Sequence, residues 1–200
     1  MGFIRWLRQR FGLEDAVFLD IEVEGLAGKM FVSPMPFGPY DKLNQLMKFY
    51  RDARVETVIP LVTDEEIARK AKRDVLGAYE KAGIEIIRFP IADLTSPPVE
   101  DVCRLVKTVS PMLKDGRRIA VHCNAGTGRT AVIVACLVAD LLAIDGTAAT
   151  AYIESRMATQ LIDSQKRVIE RFAELPGDCC DAWDTPGAGK PCSCKAPAEC

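Results

Sequence analysis

One stretch constrains this chain more than any other. An apolar strand, a glycine-containing loop and a long apolar helix follow each other without a break. Arg117-Arg118-Ile119-Ala120-Val121 reads as a buried strand, and residues 130–142 are long and apolar enough for a core helix. Between them runs His122-Cys123-Asn124-Ala125-Gly126-Thr127-Gly128-Arg129. A loop that joins a strand end to a helix start lies where backbone N–H groups are unpaired and the helix dipole is positive. Such a loop is a ready anion site.

The residue types in that loop point to one chemistry. Cys123 sits where the amides and the dipole point, so it is placed to attack as a thiolate. Arg129 carries a planar fork of donors that matches two oxygens of a phosphate. Gly126 and Gly128 let the loop curl tightly, so that the amides of Asn124, Ala125, Gly126, Thr127 and Gly128 can approach a bound anion. Thr130 puts a hydroxyl in the first helical turn, near the sulfur. His122 is the one histidine of the chain. It precedes the cysteine on the strand, so its side chain points away from the pocket and is expected to hold the loop rather than move a proton.

The pattern His-Cys-x-x-Gly-x-x-Arg-Thr resembles the signature of the cysteine-dependent protein tyrosine and dual-specificity phosphatases, in particular the compact dual-specificity type. A lone cysteine at a strand end is more often a small buried hydrophobe, but here five constrained positions fall at fixed spacing. The resemblance covers about residues 15–175. It implies metal-independent hydrolysis of a phosphate monoester through a phosphocysteine intermediate, with no cofactor. It also implies a general acid on the loop after the preceding strand. Phe89-Pro90-Ile91-Ala92-Asp93 fits that place, and the role is carried over to Asp93. Glu100 and Asp101 are weaker candidates, because acidic residues are expected in the first turn of a helix that follows Pro97-Pro98. Gln165 falls on the apolar stripe of Leu161, Val168 and Phe172 and needs a buried partner. The family uses a glutamine from this region to support its site; the spacing here matches only loosely.

The expected substrate is protein phosphotyrosine, with phosphoserine and phosphothreonine left open. Asn124, Ala125 and Thr127 carry no positive charge, whereas phosphoinositide-cleaving relatives place lysine in this loop. The rival readings are a non-protein phosphoester (an RNA end, a phosphoinositide, a small molecule), a non-catalytic phosphoprotein-binding module, and a thiol redox protein.

Composition narrows the setting. The chain has 200 residues, 48% hydrophobic and 27% charged, with a formal net charge of −2. These values suit a globular protein with one full core and argue against bulk nucleic-acid binding. No run of 18 apolar residues is present, so no stable membrane insertion is expected. A thiolate nucleophile needs a reducing compartment, and a cytoplasmic location is expected. Of eight cysteines, Cys103, Cys123 and Cys136 lie in the body; Cys179, Cys180, Cys192, Cys194 and Cys200 crowd a Pro-, Gly- and Ala-rich end. The organisation expected is an N-terminal arm over residues 1–14, with a short amphipathic helix at 3–11; a phosphatase-type domain over 15–175; and a flexible Cys-rich tail over 176–200. The tail cysteines could be free, metal-bound or redox-active; their spacing is not that of a zinc ribbon.

Strand and helix patterns alternate along the body. Residues 18–24 and 29–33 read as a hairpin, 39–53 as a helix, 55–62 as a strand, 64–81 as a broken helix and 84–89 as a strand. Helices are expected over 99–113, 146–157 and 161–172. This order predicts an α/β fold with a mostly parallel central sheet of about five strands flanked by helices.

Overall fold

The computed structural model describes residues 17–175. The arm and the Cys-rich tail expected at the two ends lie outside the described residues. The strands are β1 (Leu19–Asp20), β2 (Lys29–Ser33), β3 (Thr57–Pro60), β4 (Glu85–Ile86) and β5 (Arg118–His122). The helices are α1 (Leu46–Asp52), α2 (Asp64–Lys70), α3 (Val75–Lys81), α4 (Val99–Lys114), α5 (Arg129–Leu142), α6 (Gly146–Glu154) and α7 (Asp163–Glu174).

The sheet order is β1-β2-β5-β3-β4. β1 runs antiparallel to β2, and the remaining pairs are parallel. The apolar run of β5 explains its central place, because a strand covered on both faces has no polar side to show. Its alternation separates two cores. Ile119 and Val121 join the cluster beneath α4, α5, α6 and α7. Ala120 joins the cluster beneath α1 and α3. α5 is buried on every side from Arg129 to Ala139, which accounts for its unbroken apolar sequence. Among the described residues no single helix is long and apolar enough to cross a membrane.

Several elements differ from their sequence patterns. The helix expected over 39–53 begins only at Leu46. Before it, the Asp41 carboxylate accepts hydrogen bonds from the backbone N–H groups of Phe37, Gln45 and Leu46, and Asn44 takes a left-handed φ of +54°. A side chain that takes up backbone donors offers the chain an alternative to helix. Leu43, which a helix over 39–53 would put on one face with Leu46, Met47 and Tyr50, is exposed. β1 and β4 are two residues each, shorter than their apolar patterns. The 64–81 region breaks where Asp74 starts a second helix by accepting from the Gly77 N–H at 2.9 Å.

Because β5, β3 and β4 are parallel, the segments after them leave from one edge of the sheet, where ligands bind in such folds. The loop of residues 90–98 is pinned there: Ile91 N–H donates to Leu61 O at 2.9 Å.

Candidate active site

Cys123 stands at the end of β5 and is buried. The Gly126 N–H donates to its Sγ at 3.2 Å. Gly126 has φ +81°, and a Cβ there would lie 2.7 Å from the Ser33 carbonyl oxygen. The position needs glycine on both counts. Met35 N–H donates to Asn124 O at 3.2 Å, so the loop is stitched to the segment after β2.

His122 points away from the cavity, as the strand alternation requires. It is fully buried, with Nε2 2.8 Å from Tyr79 Oη and Nδ1 3.3 Å from Cys123 O. Burial lowers its pKa to about 4, with the bond to the Cys123 carbonyl opposing that shift, so the ring is neutral at pH 7. Tyr50 stacks beyond Tyr79 and its hydroxyl meets Ser33 Oγ at 2.8 Å. Burial pushes both phenols up, so they too are neutral. A buried, uncharged polar chain thus runs beneath the cysteine loop.

Arg129 opens α5 and is only 3% exposed. Its Nη1 donates to Glu66 Oε2 at 2.5 Å and to Ile91 O at 2.8 Å, and its Nη2 to Glu66 Oε1 at 3.1 Å. Nη2 also lies 2.9 Å from Asp93 Oδ1. Lys70 Nζ joins the group, 2.9 Å from Glu66 Oε1 and 3.4 Å from Asp93 Oδ2. Burial pushes the Glu66 carboxyl up, but the bonds from Arg129 and Lys70 outweigh it and hold the pKa down at about 2. Glu66 is therefore a fixed anion that aims the Arg129 fork. The sequence pattern over 64–81 shows a helix but singles out neither Glu66 nor Lys70 for this role. The available signal was weak, since Glu and Lys four apart are usually a surface pair.

Asp93 and Arg129 line one cavity of about 220 Å³ together with Cys123, and Glu66 and Lys70 hold them from α2, outside the lining. A family model described as "polymorphic toxin system, DSP-PTPase phosphatase" matches residues 38–141, which include Glu66, Asp93, Cys123 and Arg129. The chain belongs to this DSP-PTPase family. Among curated proteins it is 28% identical to human cyclin-dependent kinase inhibitor 3 over 42% of this chain and 39% of that one. It is 31% identical to an Arabidopsis thaliana phosphatidylglycerophosphate phosphatase over 49% and 42% of the two chains. The chain thus spans about two fifths of the length of these relatives. A solved kinase-associated phosphatase superposes with a TM-score of 0.67 at 18% identity, covering 80% of this chain and 94% of that one. The phosphatase Tk-PTP does so at 0.64 and 22% identity, covering 78% and 97%. Both share the fold.

Within this DSP-PTPase chain, Gln165 brings α7 to the site. It is buried, donates from Nε2 to Thr95 O at 3.0 Å and accepts from the Ile162 N–H at 3.3 Å. With the Ser96–Ser164 hydroxyl bond of 2.7 Å, it clasps α7 to the Asp93 loop. Gln165 lines the cavity with Asn124, Ala125, Thr127 and Gly128. Thr130 is fully buried; its Oγ1 has no hydrogen-bond partner, and no bond joins it to the sulfur. Asp101 pairs with Arg104 and lines a separate, larger cavity of about 540 Å³ behind the Asp93 loop. Neither Glu100 nor Asp101 lines the Cys123 cavity. Cys136 is wholly enclosed and burial pushes its thiol up, which makes it a poor redox partner.

Proposed function

We propose that this chain hydrolyses phosphate monoesters through a phosphocysteine on Cys123, with protein phosphotyrosine as its substrate. The observation that carries the reading is the convergence of Cys123, Arg129 and Asp93 on one small cavity. The loop amides and Arg129 receive the dianionic phosphoryl group, and Asp93 yields its place on Nη2. The Cys123 thiolate attacks phosphorus in line. Asp93, displaced from Arg129 and protonated from solvent, gives that proton to the departing oxygen, and the P–O bond breaks as the P–S bond forms. Water then attacks phosphorus, Asp93 takes its proton, and the thiolate leaves. Thr130 serves that departing sulfur, and Gln165 steadies the loop that carries the acid. The fixed donors of the loop and Arg129 hold the charge that spreads over the phosphoryl oxygens.

The cavity walls support an aryl ester. Tyr40, Leu94 and Ile162 surround the opening, and Arg129 is the one cation in the lining. Relatives named as a tyrosine-protein phosphatase of Caenorhabditis elegans and as a phosphatidylglycerophosphate phosphatase support a phosphate monoester as the substrate class. A reducing compartment such as the cytoplasm suits the thiolate.

The test is phosphate release, in reductant, from phosphotyrosine and phosphothreonine peptides and from a lipid phosphate monoester. The wild type is expected to turn over phosphotyrosine, Cys123→Ser to be inert, and Asp93→Asn to lose about 10²-fold or more in kcat. A wild type as inert as Cys123→Ser on all substrates overturns the phosphocysteine reading. Turnover of the lipid alone overturns only the protein substrate.

A further inference from the structure

Among the described residues, four large apolar side chains are exposed: Tyr40 at 50%, Leu43 at 63%, Leu94 at 78% and Ile162 at 39%. Three of them line the Cys123 cavity. The fourth, Leu43, lies on the same loop as Tyr40, three residues on. Scattered single apolar groups on a surface need no explanation, but three around one cavity do.

Two of these residues stand where the backbone favours something else. Leu94 has φ +57°, a left-handed conformation that suits glycine or asparagine and strains a leucine. It directly follows Asp93 and reaches into water. Ile162 is the N-cap of α7, where Ser, Thr, Asp or Asn would satisfy the first turn. Neither local structure nor core packing accounts for an aliphatic side chain at these places. Strain of this kind, beside a reactive group, is a pointer to function.

We infer that this collar selects phosphotyrosyl peptides with an apolar residue beside the phosphotyrosine. The inference rests on the phosphotyrosine reading and deepens it. Tyr40, Leu94 and Ile162 grip the aryl ring; Leu43, outside the cavity lining and three residues from Tyr40 on the same exposed loop, receives the neighbouring side chain. Charge complementarity favours a peptide of this kind over a membrane surface. The cavity lining has one cation, Arg129, which the reacting phosphoryl group occupies, so a second anionic group finds no partner there.

The experiment compares kcat/KM for two phosphotyrosyl peptides that differ only in leucine or glutamate next to the phosphotyrosine. Phenyl phosphate, which fills the aryl grip but has no neighbouring residue, serves as the Leu43-independent control, and a phosphate monoester lipid in phosphatidylcholine vesicles as the rival. The wild type is expected to prefer the leucine peptide by about tenfold, the gain from covering part of one leucine side chain. Leu43→Ser is expected to cut that preference to about twofold or less, with phenyl phosphate turnover within about twofold of wild type. Equal rates on the two peptides, a preference that survives Leu43→Ser, or faster turnover of the vesicle lipid than of either peptide overturns the inference. Inactivity on phenyl phosphate as well would instead bring down the phosphocysteine reading beneath it.

Discussion

At Arg129 a single buried cation has its surroundings arranged for it. Glu66 takes both terminal nitrogens, and the Ile91 carbonyl fixes one of them. Removing one member of a buried pair costs far more than the pair itself contributes, because the survivor keeps its desolvation penalty. Glu66→Ala is expected to destabilise the fold by on the order of 3–5 kcal/mol in urea unfolding, and to lower turnover by freeing the guanidinium. The double variant Glu66→Ala/Arg129→Met is expected to recover part of that stability, although not activity. If the double variant is less stable than the single, the pair acts in some other way.

Helix contacts set the site at the next scale. Gly146 opens α6 against α7, and a Cβ there would lie 2.6 Å from Glu170 Cα and 2.9 Å from Ile169 O. Backbone cannot yield as a flexible side chain can, so Gly146→Ala pushes the two helices apart. A loss of about 1–3 kcal/mol is expected, with a fall in kcat because α7 carries Gln165. Unchanged kcat together with a lowered Tm would show that α7 does not steady the Asp93 loop. The strand, loop and helix around Cys123 were legible in the sequence because their signals are local: an apolar run, two glycines and a second apolar run. The mostly parallel sheet of about five strands and the burial of Gln165 followed from period and from the alternation of strands and helices, whereas the order of the strands did not. Two further features were not legible. The 39–45 segment carries a helical pattern, yet Asp41 takes its backbone donors and Asn44 turns it out of helix. Glu66 meets Arg129 across 63 residues of sequence, and nothing in a Glu–Lys pair announces such a contact. Thr130 was expected near the sulfur; in the structure its hydroxyl is buried and makes no hydrogen bond.

The whole molecule carries a titration signature of its buried groups. His122 binds its proton near pH 4 when folded and near 6.5 when unfolded. Between those values the unfolded chain binds more protons, so stability falls as pH drops through this window, by on the order of 3 kcal/mol in all. Glu66, held at about 2 against an ordinary 4.5, contributes stability that fades as pH falls between those values. Urea midpoints at pH 7.5, 5.5 and 4 are expected to decline in that order. His122→Gln should flatten the upper part of the decline; a decline of the same size in that variant would assign it to other groups. The Asp93–Arg129 contact has a consequence of its own. An empty site of this design already contains a stand-in anion, tethered to the chain at high local concentration. A visiting monoanion such as acetate or chloride gains from Arg129 no more than Asp93 already does, while a phosphate dianion gains more. The pocket thereby discounts the small anions that surround it in any cell, and it does so before any chemistry begins.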